Sequence, residues 1–116
     1  MIDRMAQLQK ALDLMGNTYS LEDVVAMIDS GVMQSFAKND TWVVTQIIDF
    51  PRKRVLELFL IVGDLEDLEE IYNDAVAFAQ MQGCTLMRGF GRPGWKKFAE
   101  PRGWTNGTTV YLKTME

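Results

Sequence analysis

Residues 55–82 constrain this chain more than any other stretch. From 55 to 62 the sequence VLELFLIV is almost continuously apolar, which suits a strand covered on both faces. Gly63 offers a tight turn. Leu65, Leu68, Ile71, Tyr72, Ala75, Phe78 and Ala79 then recur at spacings of three and four, so one helical stripe faces a core. Gly83 stops that helix, and residues 85–90 read as the next strand. A strand, a helix and a strand of this length predict a right-handed crossover between parallel strands. A ligand is expected where the first strand hands over to the helix.

The elements before it follow from the same patterns. Ile2, Met5, Leu8, Leu12 and Met15 trace a helical stripe closed by Gly16. Ser20 with Asp23 three residues later predicts a capping box for a second helix that buries Leu21, Val24, Val25 and Ile28. Residues 34–38 read as a short strand, Asn39-Asp40 as a turn, and 41–50 as a central strand rich in β-branched residues. Pro51-Arg52 turns the chain back, so three strands form an antiparallel meander. After the crossover, residues 93–99 predict a short helix. Residues 103–105 and 108–115 predict a last hairpin about Asn106-Gly107. The expected class is α/β in the mixed α+β sense: one mixed sheet with helices on both faces.

A chain of 116 residues with 47% hydrophobic content predicts one domain with one core. No apolar run is long enough to span a membrane, and the start MIDRMAQLQK is amphipathic, with no secretion signal. A soluble, intracellular protein is therefore expected. With a single cysteine, Cys84, and no histidine, the chain excludes an internal disulfide, Ser-His triads and ordinary zinc sites. No metal is expected. Charge is segregated: residues 63–82 carry Asp64, Glu66, Asp67, Glu69, Glu70 and Asp74 with no basic residue. The basic residues Arg88, Arg92, Lys96, Lys97, Arg102 and Lys113 all follow. This pattern reads either as a solvated acidic helix beside a basic loop or as two complementary faces.

The order of elements resembles the GNAT (acetyltransferase-like) fold without its usual first strand. Phe98-Ala99-Glu100-Pro101-Arg102-Gly103-Trp104 lies where many GNAT proteins carry a phrase like F-Y-E-x-x-G-F. The pieces IIDFPRKRVLELFL, GDLEDL, GC and GRPGWKKF are similar to those of small bacteriophage proteins with a GNAT-like fold. Some proteins of that kind are internal virion or head-associated components, and others are of the acetyltransferase type.

The resemblance implies a place for acetyl-CoA and also departs from it. GNAT enzymes hold the pyrophosphate on a loop like [QR]-x-x-G-x-[GA], where glycines let backbone N–H groups approach and the helix N-terminus supplies positive potential. Here the place reads Ile61-Val62-Gly63-Asp64-Leu65-Glu66-Asp67, with one glycine and no basic residue. Asp64 is expected to cap the helix with its own side chain, and the acids there oppose a phosphate. Ala99 stands where the resemblance puts the tyrosine that protonates the leaving thiolate, and Tyr72 and Tyr111 fall elsewhere. Glu57, mid-strand among leucines, is the candidate base; the plainer expectation is an edge position or a pair with Arg54 or Lys53. Cys84 reads as a packing residue.

GFGRPGW, residues 89–95, is the most distinctive phrase and predicts a tight strand-to-helix turn. Trp95 and Trp104 either close the open end of the sheet or join the basic residues in an anion or nucleic-acid surface.

These residues lead to a first expectation of a non-catalytic, phage-type GNAT-like protein acting in the virion or the host cytoplasm. It has protein partners, itself among them, and no cofactor. Its contact surface is Glu66, Asp67, Glu70, Arg92, Trp95, Lys96 and Lys97. The alternative is an acetyl-CoA-dependent N-acetyltransferase with Glu57 as base and the backbone of Val62 and Gly63 at the cofactor. A nucleic-acid-binding accessory protein is a second alternative.

Overall fold

The computed structural model describes residues 4–90 and 93–115; Ile2 and Arg92 of the expectations above lie outside that range. Helix α1 spans Arg4–Leu14 and α2 spans Leu21–Asp29. Strands β1 (Met33–Lys38), β2 (Thr41–Asp49) and β3 (Arg54–Val62) form the meander. Helix α3 (Leu65–Met81) crosses to β4 (Leu86–Gly89), and a 3₁₀ turn leads into α4 (Lys96–Ala99). The sheet runs in the order β1-β2-β3-β4, with β3 and β4 parallel and the other pairs antiparallel.

Each face of the sheet is sealed by helices, as the apolar run of β3 requires. On one face Leu8 and Leu12 of α1 and Val24 of α2 pack on Val44, Phe59, Leu60 and Val62. On the other, Leu68, Ile71, Ala75 and Ala79 of α3 and Phe98 of α4 pack on Val43, Leu56 and Leu58. The two N-terminal stripes are narrower than their periodicity suggests, since Met5 and Val25 are about half exposed.

The capping box at the start of α2 forms as predicted. The Ser20 amide donates to the Asp23 carboxylate at 2.8 Å, and the Asp23 amide donates to the Ser20 hydroxyl at 3.1 Å. The bond from the Ser20 amide, then that from its hydroxyl, holds the Asp23 carboxyl below its ordinary value.

One expected element is absent. Among the described residues no strand follows β4, so the last hairpin does not form, and 104–115 carry no regular secondary structure. The first arm of that hairpin is used differently. The Trp104 amide donates to the Ala99 carbonyl at 3.2 Å, and its indole N–H donates to the Tyr72 hydroxyl at 3.0 Å. Trp104 is thereby fixed on the α3 side of the sheet.

Candidate functional site

The site begins with an irregularity in β3. Thr45 of β2 pairs with Leu58, but the next residue, Val44, pairs with Leu60, so Phe59 is an extra residue on β3. A bulge of this kind bends its strand and ends regular pairing nearby. On the opposite edge β4 pairs with residues 55–58 only. A last backbone bond runs from the Phe90 amide to the Leu58 carbonyl at 3.4 Å. Residues 59–62 therefore have a strand on one side and an open edge on the other. A cleft of about 810 Å3 occupies that opening, walled by β3, α1, the α1–α2 connector, Phe90, Trp95 and the C-terminal segment.

At the far end of the cleft the chain turns into α3 through Gly63, with φ of +125°. A Cβ there would lie 2.4 Å from Thr41 Oγ1 and 2.5 Å from Thr41 Cα, so only glycine fits. The Thr41 hydroxyl accepts from the Asp64 amide at 2.9 Å. Its own hydrogen is within reach of the Asp64 carbonyl (3.4 Å) and the Asp67 carboxylate (3.3 Å).

Asp64 does stand at the N-cap, but the expected side-chain cap is not made. Its carboxylate faces Arg4 instead, with Nη2 at 3.4 Å. Arg4 is almost fully buried, donates Nη1–H to Gln7 Oε1 at 2.8 Å, and has a buried Nε without a partner. Helix α1 thus places a basic group beside the loop, where it faces the Asp64 carboxylate. The signal was present: Arg4 lies four residues before Leu8, on the buried stripe.

Glu57 is buried, and its expected partner is corrected. Arg54 pairs with Asp49, at 2.7 Å, whereas Glu57 Oε2 accepts from Arg88 Nη2 at 2.5 Å. Register explains the switch, because Glu57 and Arg88 are cross-strand neighbours in the β3–β4 ladder. Gln46 Nε2–H also approaches Glu57 Oε1 at 3.3 Å. The Arg88 guanidinium lies over the Phe50 ring, 5.0 Å from its centroid. Glu57, Val62 and Gly63 all line the cleft, so the structure brings these three together.

Tyr19, which carried no signal in the sequence, also lines the cleft, its ring set edge-on to Phe59 with centroids 5.0 Å apart. The other phenols are elsewhere: Tyr72 is taken up by Trp104 and Phe98, and Tyr111 is exposed. Ala99 is buried. Burial pushes the Cys84 thiol up from its ordinary value, despite an opposing pull from Arg54, which suits a packing residue.

The charged residues expected to form a contact surface are partly engaged at home. Asp67 accepts from Asn39 at 3.0 Å, Glu70 pairs with Lys38, Glu69 with Arg102, and Lys96 with Glu100 at 3.5 Å. Glu66 and Lys97 are exposed. Trp95 is half-buried and packs on Trp104, centroids 4.8 Å apart, at the end of the sheet. No described helix is long and apolar enough to cross a membrane. Among the described residues no cluster of three or more carboxylate or thiol groups could hold a metal ion.

No protein-family model matches the chain, and neither does any curated protein sequence. Solved structures match almost its whole length. An aminoglycoside N-acetyltransferase in complex with CoA aligns with a TM-score of 0.65 at 14% identity, over 97% of this chain and 91% of its own. A Trypanosoma brucei acetyltransferase aligns with a TM-score of 0.63 at 14% identity, over 98% and 96%. Glucosamine-6-phosphate N-acetyltransferase from Arabidopsis thaliana gives 0.61 at 13% identity, over 99% and 95%. At these identities the likeness shows the fold, which is GNAT acetyltransferase-like.

Proposed function

We propose that the chain is an N-acyltransferase that takes an acyl group from a CoA thioester bound in the cleft beside the second half of β3. The observation that carries this reading is the parting of β3 and β4 after Leu58, which leaves the edge of residues 59–62 unpaired. An open edge offers backbone donors and acceptors to the amides of an extended pantetheine arm, as it would to an added strand. The α3 N-terminus at the end of that edge favours a phosphate, and Arg4 adds a fixed positive group. Asp64 and Glu66 weaken that attraction, so the fit is partial, with affinity set mainly by the arm. The bound thioester supplies an activated acyl carbon. Glu57 accepts the proton of an attacking amine, with Arg88 and Gln46 holding its carboxylate in place. With Ala99 in place of a phenol, the departing sulfur takes its proton from water or from Tyr19.

Calorimetry with acetyl-CoA and CoA, followed by mass-shift assays on a panel of primary amines, tests this reading. Saturable micromolar binding and acetylated product are expected, with Glu57→Gln lowering turnover at least about a hundredfold while binding persists. Absence of binding to either ligand overturns it.

Ala99 and the acids around the α3 N-terminus favour a second reading, a GNAT-like protein that no longer catalyses and acts by contact. It is a bacteriophage-type component of the virion or host cytoplasm, joined to protein partners through Glu66, Asp67, Glu70, Arg92, Trp95, Lys96 and Lys97. No CoA binding, together with incorporation into particles that is lost when Glu66, Asp67 and Glu70 are reversed to lysine, would establish it. Binding to nucleic acid that weakens steeply with salt would point instead to an accessory role there.

A further inference from the structure

The cleft has two chemically different ends. Helix α1 lies along it and lines it with Gln7, Ala11 and Leu14. Its start is fixed at one end, where Arg4 meets Asp64 at the α3 N-terminus. Ten residues of helix carry Leu14 about 15 Å further along. Glu57 lies in the same direction, six strand residues or about 20 Å back from Gly63. The phosphates of CoA belong at the Arg4 end and its arm along 59–62, so the acyl acceptor enters at the Glu57 end. Specificity for the acceptor, which rests on that use of the cleft, is therefore written in the residues around Glu57.

Beyond Glu57 and its neighbour Gln46, that end is walled by Leu14, Met15, Tyr19, Phe59, Val110 and Leu112. Leu112 reaches across to the α1–α2 connector at Gly16, three residues before Tyr19. Tyr19 and Phe59 meet edge to face, an arrangement that a third ring can extend. Among the described residues, Glu57 and Asp64 are the only charged side chains lining the cleft. A carboxylate or phosphate on the acceptor would lose its water, meet no lining cation and be repelled by Glu57. A sugar or a polyamine finds little there either. Thr18 and Tyr19 supply one hydroxyl each, and the Glu57 charge is already met by Arg88. The cleft, about 810 Å3 in all, is shared with the CoA arm, so the acceptor is small.

We propose that the acceptor is an arylalkylamine: a primary amine on a short chain that ends in an aromatic ring, with no acidic group. The ring lies against Tyr19 and Phe59, under the C-terminal segment, and the amine reaches Glu57. The amine nitrogen bonds to the acyl carbon as the C–S bond breaks. One amine proton passes to Glu57, and the departing thiolate is protonated, which yields an amide and free CoA.

Steady-state acetylation of 2-phenylethylamine, phenylalanine and glucosamine by the full chain tests this, beside calorimetry with acetyl-CoA alone. Phenylalanine is phenylethylamine with a carboxylate added, so that pair isolates the charge. For phenylethylamine kcat/KM is expected to exceed that for either competitor by at least about a hundredfold. Leu112→Arg, at a position 59% exposed, sets a cation on the acceptor wall without disturbing the core. It should narrow the phenylethylamine-to-phenylalanine ratio by about tenfold while circular dichroism is unchanged. A ratio of two acceptors cancels any effect of the variant on CoA binding. Equal or reversed preference in the unaltered chain overturns the inference, and so does a ratio that Leu112→Arg leaves unmoved. Acetyl-CoA binding without acetylation of phenylethylamine overturns the acceptor and leaves the CoA site standing; no binding of acetyl-CoA overturns both.

Discussion

Residues 55–58 and 59–62 belong to one strand and are nearly all buried, yet the first four have a strand on each side and the last four have one. The difference starts at a single extra residue, Phe59. Before it, Leu56 and Leu58 face the α3 core. After it, Phe59 and Leu60 both lie in the α1–α2 core, so the alternation has slipped by one. The paired half is scaffold. The open half trades one ladder for a cleft, and what that trade costs and gives can be measured by striking each half in turn.

The largest effect is expected at the end of the open half. Gly63→Ala places a methyl group inside van der Waals contact of the Thr41 backbone and demands a φ of +125° from alanine. A loss of about 4 kcal/mol or failure to fold is expected in urea titration. A mild loss would mean that the β3–α3 turn can relax and that the cleft end is plastic. Next come matched truncations. Leu56 and Leu60 are 0% and 1% exposed, so burial alone predicts equal costs for Leu56→Ala and Leu60→Ala. Leu60 borders the cleft, however, and its vacated space joins a volume already open. About 4 kcal/mol is expected for Leu56→Ala and about 2.5 for Leu60→Ala, and equal values would show that the open half is packed as tightly as the paired one.

Much of this architecture was legible beforehand because it rests on local pattern. The strand, glycine turn and helix of 55–82, the Ser20–Asp23 box and the meander are each fixed by neighbours close in sequence. The bulge was hidden by the quality that made β3 recognisable: where both faces are apolar, a one-residue slip leaves no wrong residue in the pattern. The Glu57–Arg88 pair was hidden because its register is set by a parallel ladder across α3. The hairpin over 103–115 failed for the opposite reason. Its turn and strand signals are sound, but Trp104 finds better partners in Tyr72 and Trp95 than in a strand arm.

A smaller effect probes the boundary between the halves, where Glu57 sits almost fully buried and Arg88 is about half exposed. Removing the partner of a buried charge costs more than removing the charge itself. Arg88→Ala is therefore expected to cost about 2 kcal/mol, and Glu57→Gln about 1, because the amide can still accept from Arg88. The reverse order in thermal or urea melts would place water at Glu57 and remove it from the dry floor of the cleft.

The gentlest change falls on Asp64, at the mouth of the open half. Its carboxylate is mostly exposed and makes no cap bond, and the asparagine amide can still accept from the buried Arg4, so Asp64→Asn should cost no more than about 1 kcal/mol. Its effect on ligand should be of opposite sign and easier to see. The substitution removes a negative charge from the α3 N-terminus and leaves the Arg4 guanidinium, which is already buried and oriented, without that counter-charge. Both changes favour an anion there. CoA affinity is expected to rise about three- to tenfold at low salt, and the gain should shrink as the Debye length falls to about 8 Å at physiological ionic strength. Affinity for a pantetheine fragment without phosphates should not change if the arm runs along 59–62 as proposed, away from Asp64. If CoA gains nothing while the fragment still binds, the phosphates lie beyond this helix end, and the open half of β3 holds the arm alone.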